Sequence, residues 1–147
     1  MSATHTSSGA LKRQWFSSRF LWVGALTILA AVVMNTLITL VAHAVFTVAP
    51  TFVPLQFTSV IPATGVAVTG AILVFALINR WSLQPVRLFR RIALGVLLVS
   101  IIPGLLLPFI GLFPGTTLPE VGALLLMHLA TALLCINLAP RLLDTRA

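Results

Sequence analysis

The sequence predicts an all-α membrane protein, a bundle of four transmembrane helices with both termini in the cytoplasm. Three observations carry this. Hydrophobic residues make up 59% of the chain and charged residues only 7%, against roughly 25% charged in a soluble domain. All nine Lys and Arg fall in three short segments: Lys12, Arg13 and Arg19; Arg80, Arg87, Arg90 and Arg91; Arg141 and Arg146. Between these segments the chain is apolar, with no Asp, Glu, Lys or Arg from Phe20 to Asn79, and only Glu120 from Ile92 to Glu120. A span of about 20 residues crosses the hydrocarbon core, so 147 residues hold four helices and short connections but no soluble domain. Lys and Arg are retained in short cytoplasmic loops, which puts the three basic segments, and both termini, on one side.

The formal charge of +7 would suggest nucleic acid in a soluble protein. Here the basic residues flank apolar spans, where they set orientation and meet anionic headgroups, so no nucleic-acid partner is expected. The single cysteine, Cys135, excludes an intrachain disulfide and a thiol-oxidising enzyme built on paired cysteines. Ala42-His43-Ala44 fits a signal-peptide cleavage site. The apolar run before it exceeds the roughly 7 to 15 residues of a secretory core, which predicts an uncleaved anchor.

Residues 1–19 are expected to form a disordered cytoplasmic segment, because Met1 to Ala10 are mostly polar and show no apolar periodicity. Trp15, Phe16, Phe20 and Trp22 mark the interface. The transmembrane domain, 20–140, is expected to hold helices at about 20–46, 62–79, 86–109 and 118–139, spans of the length a bilayer requires. The first exceeds a core of about 30 Å at the helical rise, so it tilts or projects. Thr47 to Ile61 carries Pro50 and Pro54 with Phe52, Val53, Leu55 and Phe57, too apolar for a solvated loop. It is expected either to lie in the outer interface or to fold over the helix ends. Pro62 suits a first helical turn, with Ser59 or Thr58 as cap. Ala63, Ala67 and Ala71 then repeat every four residues, a spacing that lets helix backbones approach closely in lipid.

Pro85 restarts the chain as a third helix, and Arg87, Arg90 and Arg91 share one face at headgroup level. Pro103 should kink this helix and free the carbonyl of Val99. Thr117 followed by Glu120 has capping-box spacing for the fourth helix. Ala139-Pro140 is expected to close that helix before the cytoplasmic tail, 141–147.

Polar residues inside spans are functional suspects. Asn35, Ser100 and His128 lie at depths of about 22, 12 and 18 Å by helical rise, and would form one polar cluster if their helices face each other. Such a cluster either contacts a ligand through His128 or fixes helix register. His43 lies about 12 Å further out than Asn35 by the same rise, which argues against a paired-histidine haem with His128. No metal cluster, phosphate loop or nucleophile triad can be assembled from the sequence, and two carboxylates near the surfaces leave little for acid/base chemistry. The expectation is no cofactor and no enzyme.

Asn35 in the first span, the arginine-rich link before the third, Ser100 with Pro103, and Leu126-Met127-His128 together resemble a family. It is that of small four-helix bacterial membrane proteins catalogued as a domain of unknown function and common in actinobacteria. The resemblance covers about Phe20 to Pro140, and implies a bacterial inner-membrane address without naming a catalytic residue. The chain is also similar in size to the small multidrug transporters that act as dimers. Those carry a membrane-embedded glutamate in the first helix, where this chain has Asn35. The expected role is a non-enzymatic accessory, packing or interaction subunit; the alternative is a small oligomeric transporter or channel component. The expected partners are anionic headgroups and either a second copy or another membrane protein.

Overall fold

Apolar runs this long satisfy their backbone groups only by becoming helices when water is excluded, and four helices make up the fold. The computed structural model describes residues 18–111, 113, 114 and 116–143. Of the N-terminal segment expected to be disordered, Ser18 and Arg19 belong to the first helix; residues 1–17, with the interfacial Trp15 and Phe16, and the tail from 144 lie outside the described residues. The helices are α1 (Ser18–Val45), α2 (Phe57–Trp81), α3 (Pro85–Ile110) and α4 (Leu118–Leu143), with a 3₁₀ turn at Val53–Leu55 before α2. All four are long and apolar enough to span a membrane.

The helices sit at the corners of a rhombus. α1 packs on α2 and α4, α3 packs on α4 and less closely on α2, and α1 and α3 take opposite corners. Asn35, in the second half of α1, meets Thr64 in the first half of α2 and Thr131 midway along α4, so neighbouring helices run antiparallel. One end of the bundle, the loop end, carries the 46–56 and 111–117 connections; the link end carries 82–84.

The face that α1 buries is small and polar: Gly24, Thr27, Ala31, Asn35, Thr39 and Ala42, at helical spacing. Its Leu and Val side chains point outward, Leu29, Leu37 and Val41 among them. This is the close-approach stripe expected of helices that associate in lipid, and it differs from the one predicted on α2. α2 instead buries Val60, Thr64, Val68, Phe75 and Ile78, and leaves Ala63 and Ala67 exposed. Alanine spacing alone could not separate a surface that admits a neighbour from one that leaves a gap.

Two apolar clusters close the ends. Ala31, Val68, Phe75, Ile78, Phe89 and Cys135 form the link-end cluster, where Phe75 and Phe89 meet edge to face at 5.2 Å. At the loop end, Phe52 and Leu55 are fully buried among Ala42, Val60, Leu107 and Met127. Phe52 also sets its ring edge-on to Phe113 at 5.6 Å. Of the two expected conformations of 47–61, the chain therefore folds over the helix ends.

Three helix limits differ from expectation. α2 begins at Phe57, with Ser59 and Val60 N–H groups both donating to the Gln56 carbonyl, and neither Thr58 nor Ser59 caps it. Pro62 thus sits inside the helix. It lies on the exposed face with Thr58, whose carbonyl loses the N–H bond it would have received. α3 runs unbroken through Pro103 and Pro108 to Ile110, and Gly111 ends it in the left-handed region, φ 64°, where glycine meets no Cβ penalty. α4 passes Ala139-Pro140 and ends at Leu143, because one missing N–H near a helix end removes a bond without forcing the chain out of helical dihedrals.

Candidate functional site: a cleft between three helices

Small side chains on α2 opposite a helix that packs loosely leave space between them. That space is a cleft of about 530 Å³, walled by α2, α3 and α4, with Asn35 of α1 on its inner wall. Ala63, Ala67 and Ala71 line it on α2, and Ala93, Val96, Leu97 and Ser100 on α3. On α4 the wall is made by Met127, His128, Thr131 and Cys135, among others. No Lys, Arg, Asp or Glu belongs to the lining.

The structure brings Asn35, Ser100 and His128 to this one cleft but not into one hydrogen-bonded cluster. Asn35 Nδ2 donates to Thr64 Oγ1 at 2.9 Å and to Thr131 Oγ1 at 3.0 Å, tying α1 to α2 and α4. Its Oδ1 is buried without a partner among the described residues. The Ser100 hydroxyl donates to the Leu97 carbonyl at 2.7 Å, not to that of Val99. His128 Nδ1 lies 2.8 Å from the Leu124 carbonyl one turn back, and because a carbonyl only accepts, Nδ1 is the donor in this contact. Each of these two groups satisfies itself on its own helix, which sequence spacing does not reveal.

Thr64 and Thr131 are the residues that sequence reasoning missed. Their signal is weak, since a threonine in a helix usually bonds its own backbone. Thr27, Thr39 and Thr69 do so, each donating to the carbonyl four residues back. His43 Nδ1 approaches the Thr39 carbonyl at 2.9 Å and its ring stacks on Phe57 at 5.4 Å. It stays at the loop end, and the cleft lining does not include it.

Glu120 performs more than the predicted cap. Its Oε2 accepts from the Thr117 N–H at 2.7 Å and from the Thr117 hydroxyl at 3.0 Å. The hydroxyl thus bonds the carboxylate rather than a backbone N–H of the first turn, so only half of the capping box forms. Oε1 accepts from the Ala49 N–H at 2.7 Å, which fastens the α1–α2 connection to the start of α4. The side chain is wholly buried, and three donors meet the need of a buried carboxylate for compensation. At the link end, Arg87, Arg90 and Arg91 are all exposed. Among the described residues no three His, Cys, Asp or Glu side chains converge as a metal site would require.

The fold and cleft define a class, a small all-helical protein of four apolar, span-length helices with an uncharged internal groove. Within that class the chain belongs to the family of unknown function DUF6069, whose family model matches residues 16–145. No curated protein and no solved structure matches the chain.

Proposed function

We propose that the chain is a multi-pass protein of the bacterial plasma membrane, both termini cytoplasmic, that binds a lipid-soluble molecule between α2, α3 and α4. Its role is non-enzymatic, as a carrier component or as a subunit that presents such a molecule to a partner. The cleft is the observation that carries this reading. It is larger than the gaps ordinary packing leaves, is apolar over most of its wall, and holds polar groups from α1, α2, α3 and α4. Ligand sites of this kind are apolar with a few placed polar groups. The exposed Arg87, Arg90 and Arg91 at the link end suit the anionic headgroups of the cytoplasmic leaflet.

The test is to fill the cleft. Ala67→Phe and Ala71→Phe put rings into a wall that now carries methyl groups. Protein purified from its native membrane should release a near-stoichiometric lipid-soluble compound on solvent extraction, seen by mass spectrometry, and both variants should lose it. Identical extracts from wild type and variants would remove the binding reading. What then remains is the packing or interaction subunit, supported by the Asn35 bridge across α1, α2 and α4 and completed by a second copy or another membrane protein.

A further inference from the structure

The polar groups of the cleft are not scattered along it. The Phe75–Phe89 contact sets the register of α2 against α3. Ser100 lies as far along α3 from Phe89 as Thr64 lies back along α2 from Phe75, so the two come level. Asn35 bonds Thr64 and Thr131 at this same level, and His128 is one turn nearer the loop end on α4. Towards the link end the wall is Ala67, Ala71, Val74, Phe89 and Ala93, with Cys135 the one residue that is not hydrocarbon. The polar groups thus form a band about one turn from the loop end of the lining, with Pro54 and Val60 beyond it and the longer apolar stretch towards the link end.

Its dimensions follow from the helices. On α2 the lining runs from Val60 to Val74, about 21 Å at the helical rise. From Thr64 to Val74 is about 15 Å, the reach of about 12 carbons when three chain bonds span roughly 3.5 Å.

This polar band also has unspent hydrogen-bonding capacity. Asn35 is only 5% exposed and its Oδ1 has no partner, a state that buried polar atoms rarely keep. Thr64 and Thr131 Oγ1 each accept from Asn35 and donate to no group among the described residues, so both hydroxyl protons are uncommitted. An acceptor flanked by two hydroxyl donors in an uncharged wall matches a group that both gives and takes hydrogen bonds.

We infer, resting on the cleft-binding reading above, that the occupant is an uncharged long-chain alcohol. Its hydroxyl donates to Asn35 Oδ1 and accepts from Thr131, and its apolar chain of about 12 carbons lies toward Phe89 and Cys135. An ionised headgroup is disfavoured because no opposite charge lines the site.

The experiment uses the full chain in lipid nanodiscs and a photoreactive dodecanol with its diazirine at the methyl end. Crosslinks should map to Val74, Phe89 or Cys135; crosslinks at Pro54 or Val60 would reverse the orientation and overturn the inference. Dodecanol should compete at least tenfold better than dodecane or methyl undecanoate, with octanol and octadecanol weaker than dodecanol. Thr131→Val and Asn35→Leu should each erase most of the preference for dodecanol over dodecane. If Asn35→Leu does not fold, Thr131→Val and the wild-type competition series decide. Equal competition by dodecane and dodecanol in wild type, with labelling lost in Ala67→Phe, would sink the alcohol while leaving the cleft reading intact. Labelling unchanged in Ala67→Phe would sink both.

Discussion

Helices α1 and α3 are alike in length, 28 and 26 residues, and in mean hydropathy, 2.2 and 2.5 over their span windows. They nonetheless behave differently. α1 buries a continuous stripe of Gly24, Thr27, Ala31, Asn35, Thr39 and Ala42 against two neighbours. α3 buries only Phe89 near one end, and Gly104 and Leu107 near the other. The middle of α3 is left to line the cleft. The difference lies in side-chain size and shape on the inward face, since a lipid-facing surface is as apolar as the inside of the bundle and hydropathy cannot choose between them.

Mutation can test whether α1 and α3 differ in this way. The strongest expected effect is at the loop end, where the connection leaving α1 is fastened by Glu120 but α3 ends simply on Gly111. Glu120→Ala leaves the Ala49 and Thr117 N–H groups without their acceptor. At about 1–3 kcal/mol for an unsatisfied buried donor, and with the exposed Thr117 amide open to water, it should cost about 1–3 kcal/mol in detergent unfolding and speed exchange of the Ala49 amide. Next is Ala31→Leu on the closed face of α1, where Ala31 is 1% exposed. Overpacking there should cost about 1–3 kcal/mol, while Ala67→Leu in the cleft should leave the melting midpoint nearly unchanged. Equal losses from the two leucines would show that both alanines sit in closed interfaces.

Asn35→Leu removes two interhelical bonds and should cost about 1 kcal/mol at the usual value of such bonds in membranes. A Thr64→Val, Thr131→Val double variant should cost a similar amount and add little to Asn35→Leu. Full additivity would mean that the three residues do not act as one network. The smallest effect is expected on α3 itself. A Cβ at Gly104 would meet Leu125 Cδ2 at 3.1 Å, a contact relieved by a small shift of a flexible side chain, so Gly104→Ala should change stability by less than about 1 kcal/mol.

Four span-length helices were legible in the sequence because the charge gaps from Phe20 to Asn79 and beyond Ile92 leave no other solution for the backbone in lipid. The family was legible from short polar and proline signals inside those spans. Helix limits near proline were less so, since Pro62 and Pro140 lie within helices that periodicity ended or began beside them. The polar site was legible only in part. Asn35, Ser100 and His128 stand out as rare polar residues and do reach one cleft. Their partners are a different matter, because whether a hydroxyl bonds its own helix, as Ser100 does, or a neighbour, as Thr64 and Thr131 do, depends on packing distances that spacing along one chain does not contain.

The Glu120 clasp has a consequence for biogenesis. The donor and acceptor of the bond from Ala49 to Glu120 are 71 residues apart, so the first hairpin is synthesised well before its anchor exists. At about 5–20 residues per second, the ribosome needs roughly 4–14 s to supply Glu120 after Ala49. During that interval the Ala49 amide must find another acceptor, such as water. The α1–α2 hairpin is therefore delivered unlatched, and the start of the last helix completes the first connection.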